Sequence, residues 1–163
     1  MLLLLLSRRL HRGSGLPAGK IVYSDTSGWQ KQQKPMISRK FGIVGKPDYL
    51  VLHKSRGRQV HIPVEVKSRK RPPEPYDSHI MQLGAYCLIA EDIYKERPPF
   101  GLIRYADDTI QIPFTNDLRR EVLKAAEAIR RNRQAADVPR QHSDPGRCSG
   151  CGYRHGCGND ALT

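Results

Sequence analysis

Apolar and polar positions alternate most clearly between Gly45 and Lys67. Tyr49-Leu50-Val51-Leu52 is an apolar run, Lys54-Ser55-Arg56-Gly57-Arg58 a charged break, and Val60-His61-Ile62-Pro63-Val64-Glu65-Val66-Lys67 a return. Two β-branched or aliphatic runs flanking a Gly-containing turn predict a β-hairpin. With the strand period of two, Val60, Ile62, Val64 and Val66 share one face. Glu65 and Lys67 then stand side by side on the other, about 7 Å apart along the strand. Asp48, at the start of the partner strand, is expected close to both.

The rest of the pattern supplies the surroundings. Residues 16–19 read as a linker, 20–24 as a short strand, and the polar stretch 25–34, with the lone Trp29, as a loop. Residues 35–44 lead into the hairpin with a further strand. Arg71-Pro72-Pro73-Glu74-Pro75 forbids regular structure and marks a surface loop. Asp77 or Ser78 is placed to cap a helix from about residue 79 to 94, with Ile80, Leu83, Cys87 and Ala90 on its core stripe. Gln82 and Tyr86, at i and i+4, line up on a neighbouring face. Residues 100–105 and 109–114, joined by Ala106-Asp107-Asp108, predict a second hairpin. Thr115 or Asn116 then caps a long helix to about residue 133, with Leu118, Val122, Ala125 and Ile129 inward and a basic outer face.

Composition narrows the class of partner. The 163 residues fit one domain with a modest core. Lys and Arg number 28 against 16 Asp and Glu, a formal net charge of +12, which favours a polyanion, most simply nucleic acid. The charge is dispersed, with clusters at Arg8-Arg9, 67–71, Arg119-Arg120 and 130–133, and the chain shows neither an internal repeat nor a low-complexity tail. Residues 1–6 are wholly apolar and are followed by Ser7-Arg8-Arg9. Six residues fall well short of the roughly 20 that span a bilayer, and the run lacks the basic start and cleavage site of a signal peptide. It reads either as the remnant of a longer anchor or as a disordered or packed terminus. In both cases the domain is expected to face the cytoplasm, with membrane association only in the first.

Two carboxylates placed like Asp48 and Glu65 repel unless a cation sits between them, and Mg²⁺ or Mn²⁺ suits such hard oxygen donors. A lysine beside that ion can orient or deprotonate a water or stabilise charge on a phosphate. The plainer reading makes Glu65 and Lys67 a solvated strand face and Asp48 a turn residue. Gln82 and Tyr86 suit contacts to phosphate oxygens or an exposed base, or are ordinary helix-face residues. Near the C-terminus, Cys148-x-x-Cys151-x-x-x-x-x-Cys157 has the character of a metal-ligand array. Tetrahedral zinc or an iron–sulfur cluster needs a fourth ligand, for which Cys87, His142 and His155 are candidates. Spacing alone slightly favours zinc.

Taken in order, G-x-x-D (Gly45 to Asp48), E-x-K (Glu65 to Lys67), Q-x-x-x-Y (Gln82 to Tyr86) and the cysteine array resemble the RecB-like branch of the PD-(D/E)XK nucleases. Within it the chain looks most like the CRISPR-associated Cas-four family and its stand-alone bacterial relatives, over roughly residues 22–157, including the Tyr23-Ser24-Asp25 lead-in. The resemblance implies an α/β fold, a mixed central sheet flanked by helices with a restriction-endonuclease-like core at 20–138. An N-terminal segment at 1–19 and a cysteine-cluster segment at 139–163 flank it.

It further implies that Asp48, Glu65 and the Val66 carbonyl hold Mg²⁺ or Mn²⁺, that Lys67 handles the attacking water, and that Gln82 and Tyr86 support the site and contact DNA. Cys148, Cys151 and Cys157 would hold an iron–sulfur cluster, usually [4Fe-4S]. The implied activity is a metal-dependent exonuclease acting on single-stranded DNA ends, with CRISPR integrase proteins as partners or a role in DNA repair. Two features depart from the family: no cysteine precedes Cys87, where the fourth cluster ligand usually lies upstream, and only His11 precedes the core. The rival readings are a non-catalytic DNA-binding or adaptor protein on the same scaffold, and a zinc-ribbon RNA binder.

Overall fold

The computed structural model describes residues 20–21, 28–55 and 57–162. Its strands are β1 (Lys20–Ile21), β2 (Trp29–Lys31), β3 (Met36–Ser38), β4 (Ile43–Gly45), β5 (Tyr49–Ser55), β6 (Arg58–Val66), β7 (Phe100–Arg104) and β8 (Thr109–Pro113). Helix α1 (Asp77–Tyr94) links β6 to β7, α2 (Asn116–Asn132) follows β8, and α3 (Pro145–Ser149) and a 3₁₀ segment (Arg154–Asp160) lie near the C-terminus. Among the described residues the main sheet has the order β1-β8-β7-β6-β5-β2, and β3 with β4 forms a separate two-stranded ribbon. Only β6 and β7 run parallel; the other neighbours are antiparallel. That one parallel pair needs a crossover, and α1 supplies it.

Both predicted hairpins form. In the first, Ser55 pairs with Arg58 across a two-residue turn in which Gly57 has φ +80°, a conformation that glycine adopts without penalty. In the second, Phe100 faces Pro113 and Arg104 faces Thr109. Residues 71–75 are free of helix and strand, as their prolines require.

The alternation along β6 decides which side of the sheet each residue serves. Val60, Ile62 and Val64 join Leu102 in one buried cluster, against which Trp29, Tyr49, Val51 and Phe100 pack. The opposite side carries the larger core: Ile80, Leu83, Leu88 and Ile89 of α1 against Ile103, Tyr105, Ile110 and Ile112, closed by Leu118 and Val122 of α2. Each fully buried aliphatic side chain of this kind contributes about 1.5–3 kcal/mol. In the parallel register Val64 lies beside Leu102 and Glu65 beside Ile103, so Glu65 faces the α1 side and only 7 % of it is exposed. Val66 shares its period with Val60 to Val64, but at the strand end it is 39 % exposed.

Three expectations change. Residues 29–31 are an edge strand on β5, with Trp29 opposite Val51, where a loop was expected. Helix α1 begins at Asp77 with Tyr76 as its N-cap residue, because the Tyr76 carbonyl already accepts from the amides of His79 (2.9 Å) and Ile80 (3.1 Å). The inward stripe of α2 stops early: Leu118 and Val122 are buried, Ala125 is half-buried and Ile129 is 60 % exposed. Of the two proposed caps for α2, Thr115 serves, its hydroxyl accepting from the Leu118 amide at 3.1 Å. The strand expected over 20–24 is described only at Lys20–Ile21; the rest of it, the Tyr23-Ser24-Asp25 lead-in and the 1–19 segment lie outside the described residues.

The described residues fall into two compact units, one ending at Ala126 and the other beginning at Glu127, inside α2. In the second unit Asp144 caps α3, its Oδ1 accepting from the Gly146 amide at 2.9 Å. Among the described residues no helix is long and apolar enough to cross a membrane.

Close packing of α1 on the sheet leaves no room at Gly101 of β7, where an added Cβ would lie 2.6 Å from Cγ of the buried Leu83. Gly101→Ala is therefore expected to destabilise the fold by about 1–3 kcal/mol. Chemical denaturation should show a lower midpoint with an unchanged slope.

Candidate active site

The turn from β4 into β5 places Asp48. Its amide donates to the Val64 carbonyl at 3.1 Å, and its carbonyl accepts from the Gln32 amide at 2.9 Å. Because Tyr49 pairs with Val64, the same register continued by one residue sets Asp48 opposite Glu65. The Asp48 carboxylate is then pinned by the Val66 amide, which donates to Oδ2 at 2.7 Å. The two acids and Val66 are thus brought together by hairpin register alone.

Lys67 stands just past the end of β6, its amide donating to the Arg104 carbonyl at 2.8 Å. Its Nζ donates to Glu65 Oε1 at 2.9 Å and to Gln82 Oε1 at 3.0 Å. Gln82 Nε2 donates to the same Glu65 oxygen at 3.0 Å and to the Tyr86 hydroxyl at 2.8 Å. An ammonium has only donors, so its contact fixes which end of the Gln82 amide is oxygen. One helix turn of α1 therefore reaches the strand end and joins Glu65, Lys67, Gln82 and Tyr86 in a single network. Burial raises the Tyr86 phenol pKa above its ordinary value; the Gln82 hydrogen bond opposes this, while the charges of Glu65 and Asp48 add to it. The phenol stays protonated at neutral pH.

Gly45 explains how Tyr86 fits. A Cβ on Gly45 would lie 2.7 Å from Cε1 and 2.9 Å from Cδ1 of the Tyr86 ring. The glycine of the G-x-x-D stretch is thus a close-approach position, and its neighbour is the last member of the network.

The donor set suits a hard divalent ion. Asp48 spends Oδ2 on the Val66 amide and Glu65 spends Oε1 on Lys67 and Gln82. Among the described residues, Asp48 Oδ1 and Glu65 Oε2 have no hydrogen-bond donor, which leaves one oxygen of each acid for a cation.

The cysteines are arranged differently. Cys87 is 1 % exposed in the apolar core of the first unit, and burial pushes its thiol pKa strongly up, opposite to what a ligand thiolate needs. In the second unit Cys148 is buried, Cys151 exposed and Cys157 half-buried. His142 Nδ1 accepts from the Asp144 amide at 3.3 Å, and His155 is exposed. Among the described residues no three His, Cys, Asp or Glu side chains converge to hold a metal. The expected basic face of α2 is partly neutralised: Arg119 holds Glu91 through three contacts of 2.9–3.2 Å, and Arg120 and Arg131 pair with Asp117 and Glu127.

Residues 20–158 match the family model described as PD-(D/E)XK nuclease superfamily. No curated protein matches the chain.

One neighbour of the site escaped the sequence reading. His79 lies one helix turn before Gln82, and its Nδ1 is 3.0 Å from the hydroxyl of the buried Tyr105. Burial lowers its pKa, and the positive charges of Lys67 and Arg69 lower it further. A histidine whose folded pKa lies below its unfolded value contributes stability at higher pH, lost as the unfolded chain takes up its proton first on acidification. The denaturation midpoint is therefore expected to fall between about pH 8 and about pH 5, and to fall less in His79→Gln.

Proposed function

The chain belongs to the PD-(D/E)XK nuclease superfamily, and from that premise we propose that it is a metal-dependent deoxyribonuclease whose site is Asp48, Glu65 and Lys67, supported by Gln82 and Tyr86. The observation that carries this reading is the unbroken network from Lys67 through Glu65 and Gln82 to Tyr86, with Asp48 locked opposite Glu65. A scaffold kept only for binding has no need of it.

In this reading Asp48 and Glu65, with the Val66 carbonyl, would hold Mg²⁺ or Mn²⁺, which when bound polarises the phosphate and favours ionisation of water. Asp48 is fixed by the Val66 amide, so its free oxygen has one orientation. The Lys67 ammonium has three donors, and two are engaged by Glu65 and Gln82. The third is left to orient the attacking water or a phosphate oxygen as the phosphodiester bond breaks. Gln82 holds Lys67 and Glu65 in register, and the formal charge of +12 attracts the strand. Cutting of single strands from their ends, with CRISPR integrase proteins or in repair, is the finer assignment, and the motif order from Gly45 to Cys157 supports it. The cysteine array takes no part in the proposed chemistry.

Lys67→Ala and Glu65→Ala are expected to lower cleavage of end-labelled single-stranded DNA, measured with Mn²⁺, by at least about 100-fold. DNA binding should be largely kept, because phosphate contacts elsewhere supply most affinity. Cleavage by Lys67→Ala at the wild-type rate would sink the mechanism. DNA binding without cleavage by the wild-type protein would favour the adaptor reading. Gly45→Ala tests the network from its far end: by displacing Tyr86 it should lower kcat about 10- to 100-fold while the protein stays folded.

A further inference from the structure

Beyond the network, the connection from β6 to α1 holds an exposed aromatic group in a fixed position. Tyr76 is 46 % exposed, yet its backbone is anchored as the N-cap of α1, its carbonyl accepting from His79 and Ile80. The chain leading to it is tied down as well. The Arg69 carbonyl accepts from the Ala106 amide at 3.1 Å, and the Arg71 amide donates to Asp107 Oδ1 at 2.7 Å. Arg71 Nε donates to Asp108 Oδ2 at 2.9 Å. The exposed Arg69 lays its guanidinium 5.3 Å from the centre of the Tyr76 ring. The His79 ring meets Tyr76 edge-on, 5.2 Å between centres at 86°, and is itself steadied by Tyr105.

A large exposed ring held this firmly does little for folding, since much of its surface stays in water. A guanidinium over an aromatic ring is, however, a stacking surface that accepts any nucleobase. It also lies beside the catalytic group: Arg69 is two residues from Lys67, and His79 one turn from Gln82, which binds Lys67.

On the proposed nuclease reading, we infer that Arg69, Tyr76 and His79 form a stacking platform for an unpaired nucleobase next to the scissile phosphate. The platform selects single-stranded substrate, because a base inside a duplex already stacks on its neighbours and has no free face to offer. It recognises no sequence, since every base has such a face.

The test uses the full chain and single-stranded oligonucleotides carrying 2-aminopurine or an abasic residue at successive positions from the end. In a Lys67→Ala background, binding should quench 2-aminopurine at one position. The quench should vanish on adding Tyr76→Ala and persist on adding Tyr76→Phe. In the active protein Tyr76→Ala should raise KM on single strands about 10-fold. An abasic residue at the stacked position should cost the wild type a similar factor and cost Tyr76→Ala nothing. Unchanged quenching and KM in Tyr76→Ala would overturn the platform, as would an equal loss on normal and abasic strands, which would mark a merely structural role. If the wild type binds DNA and cuts nothing, the nuclease reading falls while the quenching result still decides the platform.

Discussion

A single side-chain amide holds the site together. Gln82 accepts a hydrogen bond from Lys67 with its oxygen and donates one each to Glu65 and Tyr86 with its nitrogen, all between 2.8 and 3.0 Å. Strand geometry alone places Glu65 and Lys67 on one face but leaves a long, flexible lysine free to turn to solvent. The amide arrives from a different element, α1, and closes a triangle with the ammonium and the carboxylate. The geometry at the strand end therefore depends on how the helix is seated, and the seating depends on packing remote from any charge: Leu83 against Gly101, and Tyr86 against Gly45. Two glycines set the height of the helix above the sheet and the ribbon.

The same dependence explains why β6 has to serve two faces. Its even-numbered residues build one hydrophobic cluster, and Glu65 points to the α1 side beside Ile103. A one-residue slip of the hairpin would move Glu65 to the valine side and carry Asp48 out of register with it. The apolar sides of β6 and β7 thus protect the spacing of the acids. Selection for a well-packed sheet and selection for a paired acid site act on the same register.

Much of this was legible in the sequence, and the misses share a cause. Both hairpins, the proline-rich loop and the core stripe of α1 are local patterns of period two or 3.6, and they appear where the periods place them. The pairing of Asp48 with Glu65 was readable because a hairpin turns sequence distance into register. Trp29 was not readable as a strand residue: three residues carry too little alternation, and what makes them a strand is the free edge of β5. Ile129 failed in the opposite direction, since the stripe of α2 continues in sequence past the last residue of the first unit's core. Contacts such as His79 with Tyr105 and Arg69 with Tyr76 join residues whose spacing follows no period, so no pattern announces them.

The electrostatics of the site leave an imbalance that bears on its chemistry. Asp48 and Glu65 bring two negative charges to the strand end, and Lys67 returns one positive; Gln82 and Tyr86 are neutral. The local sum is negative in a chain whose formal net charge is +12. A polyanion drawn in by the overall field would meet repulsion at the last step, over the few ångströms where nearby charges dominate a screened field. A cation held by the two unshared carboxylate oxygens removes that conflict, because it adds positive charge where the phosphate must come closest. An ion held there would reconcile the field that gathers substrate with the acids that would repel it, so the charge arrangement supports the proposed metal dependence alongside the donor atoms.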